Sequence, residues 1–337
     1  MKCFFVTGRD NEGKSVYQDL IRNCLRSARE KTSLEFHALY DGDPTDETYR
    51  RFVEAGIDVT IHRLSFKDQL RDYYTHAYPE DSDCHISKRN FEHCSCNFLK
   101  FDIPDFCSDE LVLYVDIDTE FCRDYDWSSL KTATIAVAPE FRKEYDVIKG
   151  NRYFNAGIML INVPELRKRR ERMLKMLAER CLCYQECWDQ GFFNELYKGE
   201  FDELPLTFNW KPYWGINDQA VIVHYHWMKP NKAWNDYDVM LHAMHLDLQG
   251  EAAQVGMLHY MRRFIAANCP DKVAFLDGFG SLFFKAEQRR RDLALENARR
   301  LFREADPREW LPKGKRTALD KIKRRIAKWL IASLRQD

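Results

Sequence analysis

Two carboxylates separated by one residue end an apolar segment of the chain. The segment Leu111–Val115 is followed by Asp116, Ile117 and Asp118. In an open α/β sheet, ligands bind at the carboxyl ends of the strands, so acids at this position face a crevice. Neighbouring carboxylates repel each other, and a hard divalent cation that also binds a diphosphate removes this repulsion. We therefore expect Asp116 and Asp118 to bind a metal ion, and two solvated acids at a strand end are the alternative.

Three later segments also place polar side chains next to apolar ones. Asn155 precedes two small residues and an apolar segment, where a backbone can approach a ligand closely. Asp189 and Gln190 open a helical segment and could bond sugar hydroxyls, and an apolar segment further on leads to His224 and Lys229. Taken singly, each residue has a purely structural interpretation. Asn155 is typical of a turn, Asp189 is typical of a helix N-cap, and His224 is typical of a buried core histidine.

Together, these four patterns resemble glycosyltransferase family 8, which includes bacterial lipopolysaccharide galactosyl- and glucosyltransferases and glycogenin. The family has an apolar strand ending in D-x-D, then F-N-A-G, D-Q, and an I-V-H strand that leads to K-P, and all four occur here in that order. The resemblance covers about residues 1–235. It implies a GT-A fold, a UDP-sugar donor, Mn²⁺ or Mg²⁺ as cofactor, and transfer of galactose or glucose to a saccharide acceptor with retention of configuration.

The resemblance also implies a role for each matching residue. The metal ligands would be Asp116, Asp118 and His224. The catalytic group, which meets the leaving diphosphate and lines the sugar pocket, would be Asn155, Asp189, Gln190 and Lys229. The donor-binding group would be Thr7, Asp10, Asp116, Ile117, Asp118, Glu140, His226 and Lys229.

Several departures from the family pattern leave alternatives open. His226 competes with His224 for the metal, because residues two apart on a strand share a face. Lys232 competes with Lys229 for the diphosphate, since extra residues follow the K-P pair. An Arg that the family often has shortly before the position of Lys100 is missing, so we expect the nucleotide to be bound differently in detail.

A rival interpretation comes from the segment Gly8–Ser15. It matches the G-x-x-x-x-G-K-[ST] phosphate loop, which would make the chain a nucleotide triphosphatase or kinase. However, Asp10 and Glu12 would place two negative charges in a loop that wraps phosphate. A catalytically inactive protein that only binds a nucleotide sugar is a further alternative.

The elements that position these residues follow from hydrophobic patterning. Short apolar segments alternate with longer segments of helical period, which predicts an α/β domain over residues 1–235 with a mostly parallel central sheet flanked by helices. The predicted strands are Cys3–Thr7, Leu34–Tyr40, Asp58–His62, Leu111–Val115, Thr134–Ala138, Gly157–Ile161 and Ala220–Tyr225. The predicted helices lie near residues 15–30, 45–55, 165–180 and 189–197, and a helical extension follows at 236–306.

The last segment, residues 307–337, predicts a basic amphipathic tail. Its stretch 313–337 carries nine Lys and Arg against two Asp, and Trp329 lies on its apolar stripe. Such a helix can lie on an anionic membrane surface, and packing against the catalytic domain is the alternative. Family relatives that act on lipid-linked glycans carry similar tails. The resemblance therefore implies an oligosaccharide or lipid-linked glycan as acceptor and lipopolysaccharide-type synthesis at the inner face of the membrane.

Composition argues against several other classes of protein. The net charge of −1 argues against a general nucleic-acid binder. Apolar runs are shorter than the roughly 18 residues that a membrane span needs, and the first residues lack signal-peptide character, so we expect a cytoplasmic protein. The eleven cysteines are odd in number and irregularly spaced, which predicts free thiols.

Overall fold

A mixed β-sheet forms the centre of the described unit, with helices on its two faces. The computed structural model describes residues 1–9, 15–77, 91–140, 144–148, 150–180, 188–226, 229–230, 251–268 and 270. All of them belong to one unit, Met1–Asp271. The predicted tail and most of the predicted extension therefore lie outside the described residues.

The described strands follow the predicted order along the chain. They are β1 Lys2–Gly8, β2 Glu35–Asp41, β3 Asp58–Ile61, β4 Leu111–Val115, β5 Thr119–Phe121, β6 Ile135–Pro139, β7 Asp146–Ile148, β8 Asn151–Asn162, β9 Asp202–Glu203 and β10 Ile222–His224. The central sheet has the order β3-β2-β1-β4-β8-β6-β9, and β7 pairs with β8. A separate antiparallel ribbon is formed by β5 and β10.

Strand direction divides the sheet into two parts. The pairs β3-β2, β2-β1 and β1-β4 are parallel, as is β6-β9. Strand β8 is antiparallel to both β4 and β6. The carboxyl ends of β1, β2 and β4 therefore meet at one edge of the sheet, where a ligand would bind in an open α/β fold.

Seven α-helices are described, and they cover both faces of the sheet. They are α1 Ser15–Lys31, α2 Glu47–Glu54, α3 Lys67–Ala77, α4 Phe91–Asn97, α5 Val163–Ala178, α6 Trp188–Leu196 and α7 Glu251–Asn268. Short 3-10 helices occur at Phe98–Asp105, Trp127–Ser129, Leu206–Asn209 and Pro212–Trp214. Every described helix is too short or too polar to cross a membrane.

Side-chain alternation along the strands builds a core on each face of the sheet. Phe4 of β1 and Tyr114 of β4 belong to one buried apolar cluster, whereas Phe5 and Val115 belong to the other. Successive side chains of a strand point to opposite faces, so a sheet covered on both sides needs nearly continuous apolar strands. This is why β1 and β4 were recognisable in the sequence.

The predicted α/β class is confirmed, and each of the seven predicted strands has a counterpart. The bounds of β4 match the prediction, whereas β8 begins at Asn151, six residues before the predicted start at Gly157. Asn155 therefore lies within a strand and not in a preceding turn. Strands β5, β7 and β9 and helices α3 and α4 were missed. The cysteines Cys3, Cys24, Cys96, Cys107 and Cys122 are free thiols, as predicted.

Candidate active site

The two aspartates and a histidine converge where β4 and β10 end. The backbone N–H of Asp116 donates to Gly157 O of the neighbouring β8 at 2.7 Å. The N–H of Tyr225, the residue after His224, donates to Asp118 O at 2.9 Å. Because the backbone ties both strand ends together, the two carboxylates and the imidazole occupy one small volume.

The geometry of this cluster suits a divalent cation. His224 Nε2 lies 3.3 Å from Asp118 Oδ1 and 3.9 Å from Asp116 Oδ2, and one ligand atom from each residue lies within 4.8 Å of the others. Two ligands of Mg²⁺, each about 2.1 Å from the ion, are at most about 4.2 Å apart. The two distances that involve the imidazole meet this limit, so the residues fit the predicted ion with only a small closure of the carboxylates.

A glycine of β8 makes room for the cluster. A Cβ added at Gly157 would overlap His224 Cε1 and would lie 2.8 Å from Asp116 Oδ2. The A-G pair that the sequence places after Asn155 is therefore explained by close packing of the backbone against the site, since only a residue without a side chain fits there.

The two aspartates differ in their charge environment. Burial raises the pKa of Asp116, although the Lys100 ammonium acts against it. Burial also opposes ionisation of Asp118, but the Lys229 ammonium holds its pKa well below the usual value. Lys229 Nζ contacts Asp118 Oδ2 directly. The lysine that was predicted to meet a diphosphate is therefore placed at the aspartate cluster.

A second polar cluster lies beside the first and contains the predicted sugar-binding residues. Asn155 Nδ2 donates to Glu140 Oε2 at 2.6 Å and to Gln190 Oε1 at 3.1 Å. Gln190 Oε1 also accepts the backbone N–H of Ala156 at 2.9 Å. These side chains are all at least nine-tenths buried, so the amides hold one another in fixed orientations.

The two candidate histidines have different environments. His226 Nε2 lies 2.9 Å from Glu140 Oε1, and its Nδ1 lies 2.9 Å from the Tyr213 hydroxyl. Burial lowers the pKa of His226 to about 3, although the Glu140 carboxylate acts against this effect. Both nitrogens of His226 thus have partners outside the aspartate cluster, and the structure brings His224 to the two aspartates instead.

Lys100 is a site residue to which sequence reasoning assigned no role. Its side chain is 2% exposed, and its Nζ lies 2.7 Å from Asp189 Oδ2 and 4.0 Å from Asp116 Oδ1. The ammonium also donates to Ala156 O at 3.1 Å and lies 4.2 Å from the centre of the Tyr114 ring. A single lysine inside the apolar segment 98–101 was the available signal. This cation links the predicted catalytic acid to the predicted metal ligand.

The positions of the other predicted site residues say less about their roles. Thr7 is buried near the end of β1, opposite Tyr40 of β2. Ile117 is partly buried and packs against an apolar core cluster, so hydrophobic packing accounts for its side chain. Asp10 and Lys232 lie outside the described residues.

Comparison with known proteins identifies the family. The model of glycosyl transferase family 8 matches residues 17–238. The chain belongs to glycosyltransferase family 8. Family membership makes it a glycosyltransferase with the GT-A fold that the sequence resemblance implied, and it favours this activity over the nucleotide triphosphatase interpretation of Gly8–Ser15. No curated protein sequence matches the chain.

Several solved glycosyltransferase structures are similar to this member of family 8. The galactosyltransferase LgtC, in complex with donor and acceptor sugar analogs, is 19% identical over 74% of this chain and 98% of its own, with a TM-score of 0.48. GlyE of Streptococcus pneumoniae is 20% identical over 78% of this chain and 63% of its own, with a TM-score of 0.48. Mouse xyloside xylosyltransferase 1 is 16% identical over 75% of this chain and 95% of its own, with a TM-score of 0.45.

Proposed function

We propose that this protein is a metal-dependent hexosyltransferase that moves galactose or glucose from a UDP-sugar to a saccharide acceptor with retention of configuration. The observation that carries the proposal is the convergence of Asp116, Asp118 and His224 at the ends of β4 and β10, with ligand atoms within 4.8 Å of one another. In a family 8 chain, this position is where the diphosphate of a donor would bind.

The proposed cofactor is Mn²⁺ or Mg²⁺, held by Asp116, Asp118 and His224. A bound divalent ion supplies positive charge to the departing diphosphate. Lys229 lies beside Asp118, so its ammonium is placed to bind the same group. The preorganised charges that stabilise a leaving group are usually the largest contribution to catalysis.

The sugar would bind next to Asn155, Asp189 and Gln190. An amide is a poor nucleophile, and Gln190 Oε1 already accepts two hydrogen bonds, from Ala156 N and Asn155 Nδ2. This arrangement supports attack by the acceptor hydroxyl on the same face that the diphosphate leaves, with Asp189 orienting the reactants. Glu140 would act through Asn155 and His226, because its two oxygens bond to these side chains.

For the acceptor, we propose an oligosaccharide or a lipid-linked glycan in cell-surface, lipopolysaccharide-type synthesis. The basic, apolar-striped segment 313–337 would bind the protein to the anionic inner face of the membrane, where such glycans are made. The catalytic unit itself would remain in the cytoplasm, in contact with its nucleotide-sugar donor.

The experiment that tests the function is a thermal-shift screen of nucleotide sugars with and without Mn²⁺, followed by donor hydrolysis and transfer assays. We expect one UDP-hexose to raise the melting temperature only with metal, because a ligand that binds the native state alone stabilises it. Stabilisation without turnover would instead indicate an inactive nucleotide-sugar binder.

Substitution of a metal ligand provides the second part of this test. Asp116→Asn should abolish transfer while the protein remains folded, since a neutral amide replaces a charged ligand. Asp58→Asn is the matched control, because Asp58 is 89% exposed at the start of β3 and should keep full activity. Full activity of Asp116→Asn would refute the metal role.

A further inference from the structure

A fully buried asparagine lies behind the proposed metal ligand His224. Asn209 ends the 3-10 helix Leu206–Asn209 and is 0% exposed. Its Oδ1 lies 3.0 Å from His224 Nδ1, and its Nδ2 donates to Asn155 Oδ1 at 2.9 Å. Asn155 in turn bonds to Glu140, so four side chains form one continuous chain of hydrogen bonds.

A backbone N–H sets the donor-to-acceptor direction of this series of hydrogen bonds. The N–H of Gly157 donates to Asn155 Oδ1 at 3.1 Å, and a backbone N–H can only donate. The oxygen of Asn155 is thereby identified, and its Nδ2 faces Glu140. An ionised carboxylate can only accept, and burial of Glu140 is outweighed by the nearby His226 and Lys211, which hold its pKa below the usual value. Both ends of Asn155 are therefore assigned without ambiguity.

The assignment propagates through Asn209 to the histidine. Because Asn155 Oδ1 is an acceptor, Asn209 must turn its NH₂ group towards it. The oxygen of Asn209 then faces His224 Nδ1, which must carry a hydrogen to make the 3.0 Å bond. A neutral imidazole has one N–H, so its Nε2 is left with a free lone pair. That lone pair points to Asp116 and Asp118.

The hydrogen bond between His224 Nδ1 and Asn209 favours the tautomer opposite to the one that the aspartates alone would select. With Asp118 Oδ1 only 3.3 Å from His224 Nε2, a histidine without another partner would place its proton on Nε2 and donate to the carboxylate. Such a histidine has no lone pair for a metal on that side. Histidines that bind metals usually donate their other N–H to a carbonyl or carboxylate oxygen, which sets the tautomer.

We propose that Asn209 is a positioning residue that keeps neutral His224 in the Nδ1–H tautomer, so that Nε2 is ready to bind a divalent cation. The role of His224 as a ligand rests on the proposed function. The tautomer itself does not rest on the proposed function, because it follows from hydrogen bonds within the protein.

The tautomer can be measured directly by ¹⁵N NMR of the metal-free protein in EDTA. The pH is set to about 8.5, well above the ordinary histidine pKa of about 6.5. The His224 signals are identified by their loss in His224→Gln. We expect Nδ1–H in the wild type and a shift towards Nε2–H in Asn209→Leu. An Nε2–H signal in the wild type, or no change in the variant, would overturn the proposal.

Mn²⁺ affinity, measured by calorimetry without donor, gives a second readout. Asn209→Leu should weaken Mn²⁺ binding about 10- to 100-fold, the usual effect of losing such a partner. Asn209→Asp keeps an acceptor for His224 Nδ1 but loses the N–H that Asn155 Oδ1 accepts, so it should weaken Mn²⁺ binding less than Asn209→Leu. If Asn209→Leu does not fold, failure of Asn209→Asp to give Nδ1–H in the NMR experiment contradicts the proposal.

Asn23→Leu is the matched control. Asn23 is also 0% exposed, and its Oδ1 accepts hydrogen bonds from Arg26 and Asn268, away from the aspartate cluster. Its loss should lower the melting temperature and leave Mn²⁺ affinity unchanged. Equal weakening of Mn²⁺ binding in Asn23→Leu and Asn209→Leu would overturn the positioning role. If the wild type binds no Mn²⁺, the proposed metal role fails while the NMR experiment still decides the tautomer.

Discussion

Replacing Lys100 by methionine should reveal how much a single buried cation stabilises the acidic site. The substitution keeps an unbranched side chain that is one atom shorter, and it removes the ammonium together with its hydrogen bond to Ala156 O. Lys100 Nζ lies 2.7 Å from Asp189 Oδ2 and 4.0 Å from Asp116 Oδ1, in surroundings that leave the lysine 2% exposed. The variant therefore leaves the buried Asp189 and the partly buried Asp116 without their shared counter-charge.

The two distances determine the size of the effect. With an effective dielectric constant of about 20, the attractions amount to about 6 kcal/mol to Asp189 and about 4 kcal/mol to Asp116. Desolvation of the ammonium, several kcal/mol, offsets part of this sum. Removing one partner of a buried ion pair usually costs about 3–5 kcal/mol, and we expect Lys100→Met to lose this much stability at pH 8.

The loss should depend on pH in a defined direction. Burial raises the pKa of Asp189 and of Asp116, and Lys100 lowers both. Without Lys100, both folded-state pKa values rise further above the unfolded value of about 3.9. Acids with raised pKa values stabilise the fold when protonated, and this contribution is lost as pH rises through the folded pKa. The difference between variant and wild type should therefore be larger at pH 8 than at pH 5.

The measurement is urea-induced unfolding in EDTA at pH 5 and pH 8, followed by tryptophan fluorescence. Lys175→Met is the control, since Lys175 Nζ also lies near a carboxylate, 3.6 Å from that of Glu179, but both side chains of this pair are more than half exposed to solvent. For a pair of that kind we expect a loss of about 1 kcal/mol with little pH dependence over this range. Equal losses in the two variants, or a loss for Lys100→Met that does not change with pH, would refute the reasoning.

Two further predictions concern Asp102 and the basic segment 313–337. Asp102 accepts hydrogen bonds from His62 and Ser65 and pairs with Arg170. These partners outweigh the effect of burial and lower the pKa of Asp102. The ionised carboxylate therefore stabilises the fold above about pH 4, and this stabilisation is lost as pH falls through the lowered folded-state pKa. Asp102→Asn should cost about 2–3 kcal/mol at pH 7 and less at pH 3, by urea unfolding. Deleting residues 313–337 should release the protein from anionic vesicles in a sedimentation assay without loss of activity on soluble acceptors, and continued vesicle binding would contradict the membrane role.

Local patterns in the sequence were enough to locate the strand that ends at the two aspartates. Five apolar residues, preceded by three polar residues and followed by Asp116, define β4 with its observed bounds. A strand buried on both faces must be apolar along its length, so its end is visible where the first charged residue appears. The start of β8 was harder to place, because its first four residues, Asn151–Phe154, mix polar and apolar side chains.

The choice between the two histidines could not be made from spacing. His224 and His226 would share a face if the strand continued, but β10 ends at His224. Beyond that point the strand alternation no longer applies, and His226 turns to Glu140 and Tyr213. The deciding contacts come from residues distant in sequence, which no local pattern reports.

The sequence by itself determined the family, the α/β class, and the aspartates at the end of β4, because these depend on local periodicity and on the order of motifs, which can be read from the sequence. Only the tertiary structure decided which histidine reaches the aspartates, and it alone revealed Lys100 and Asn209. The physical reason is that a buried lysine or asparagine is acceptable only with partners for its charge or its hydrogen bonds. Those partners lie on other strands and helices, which folding brings together.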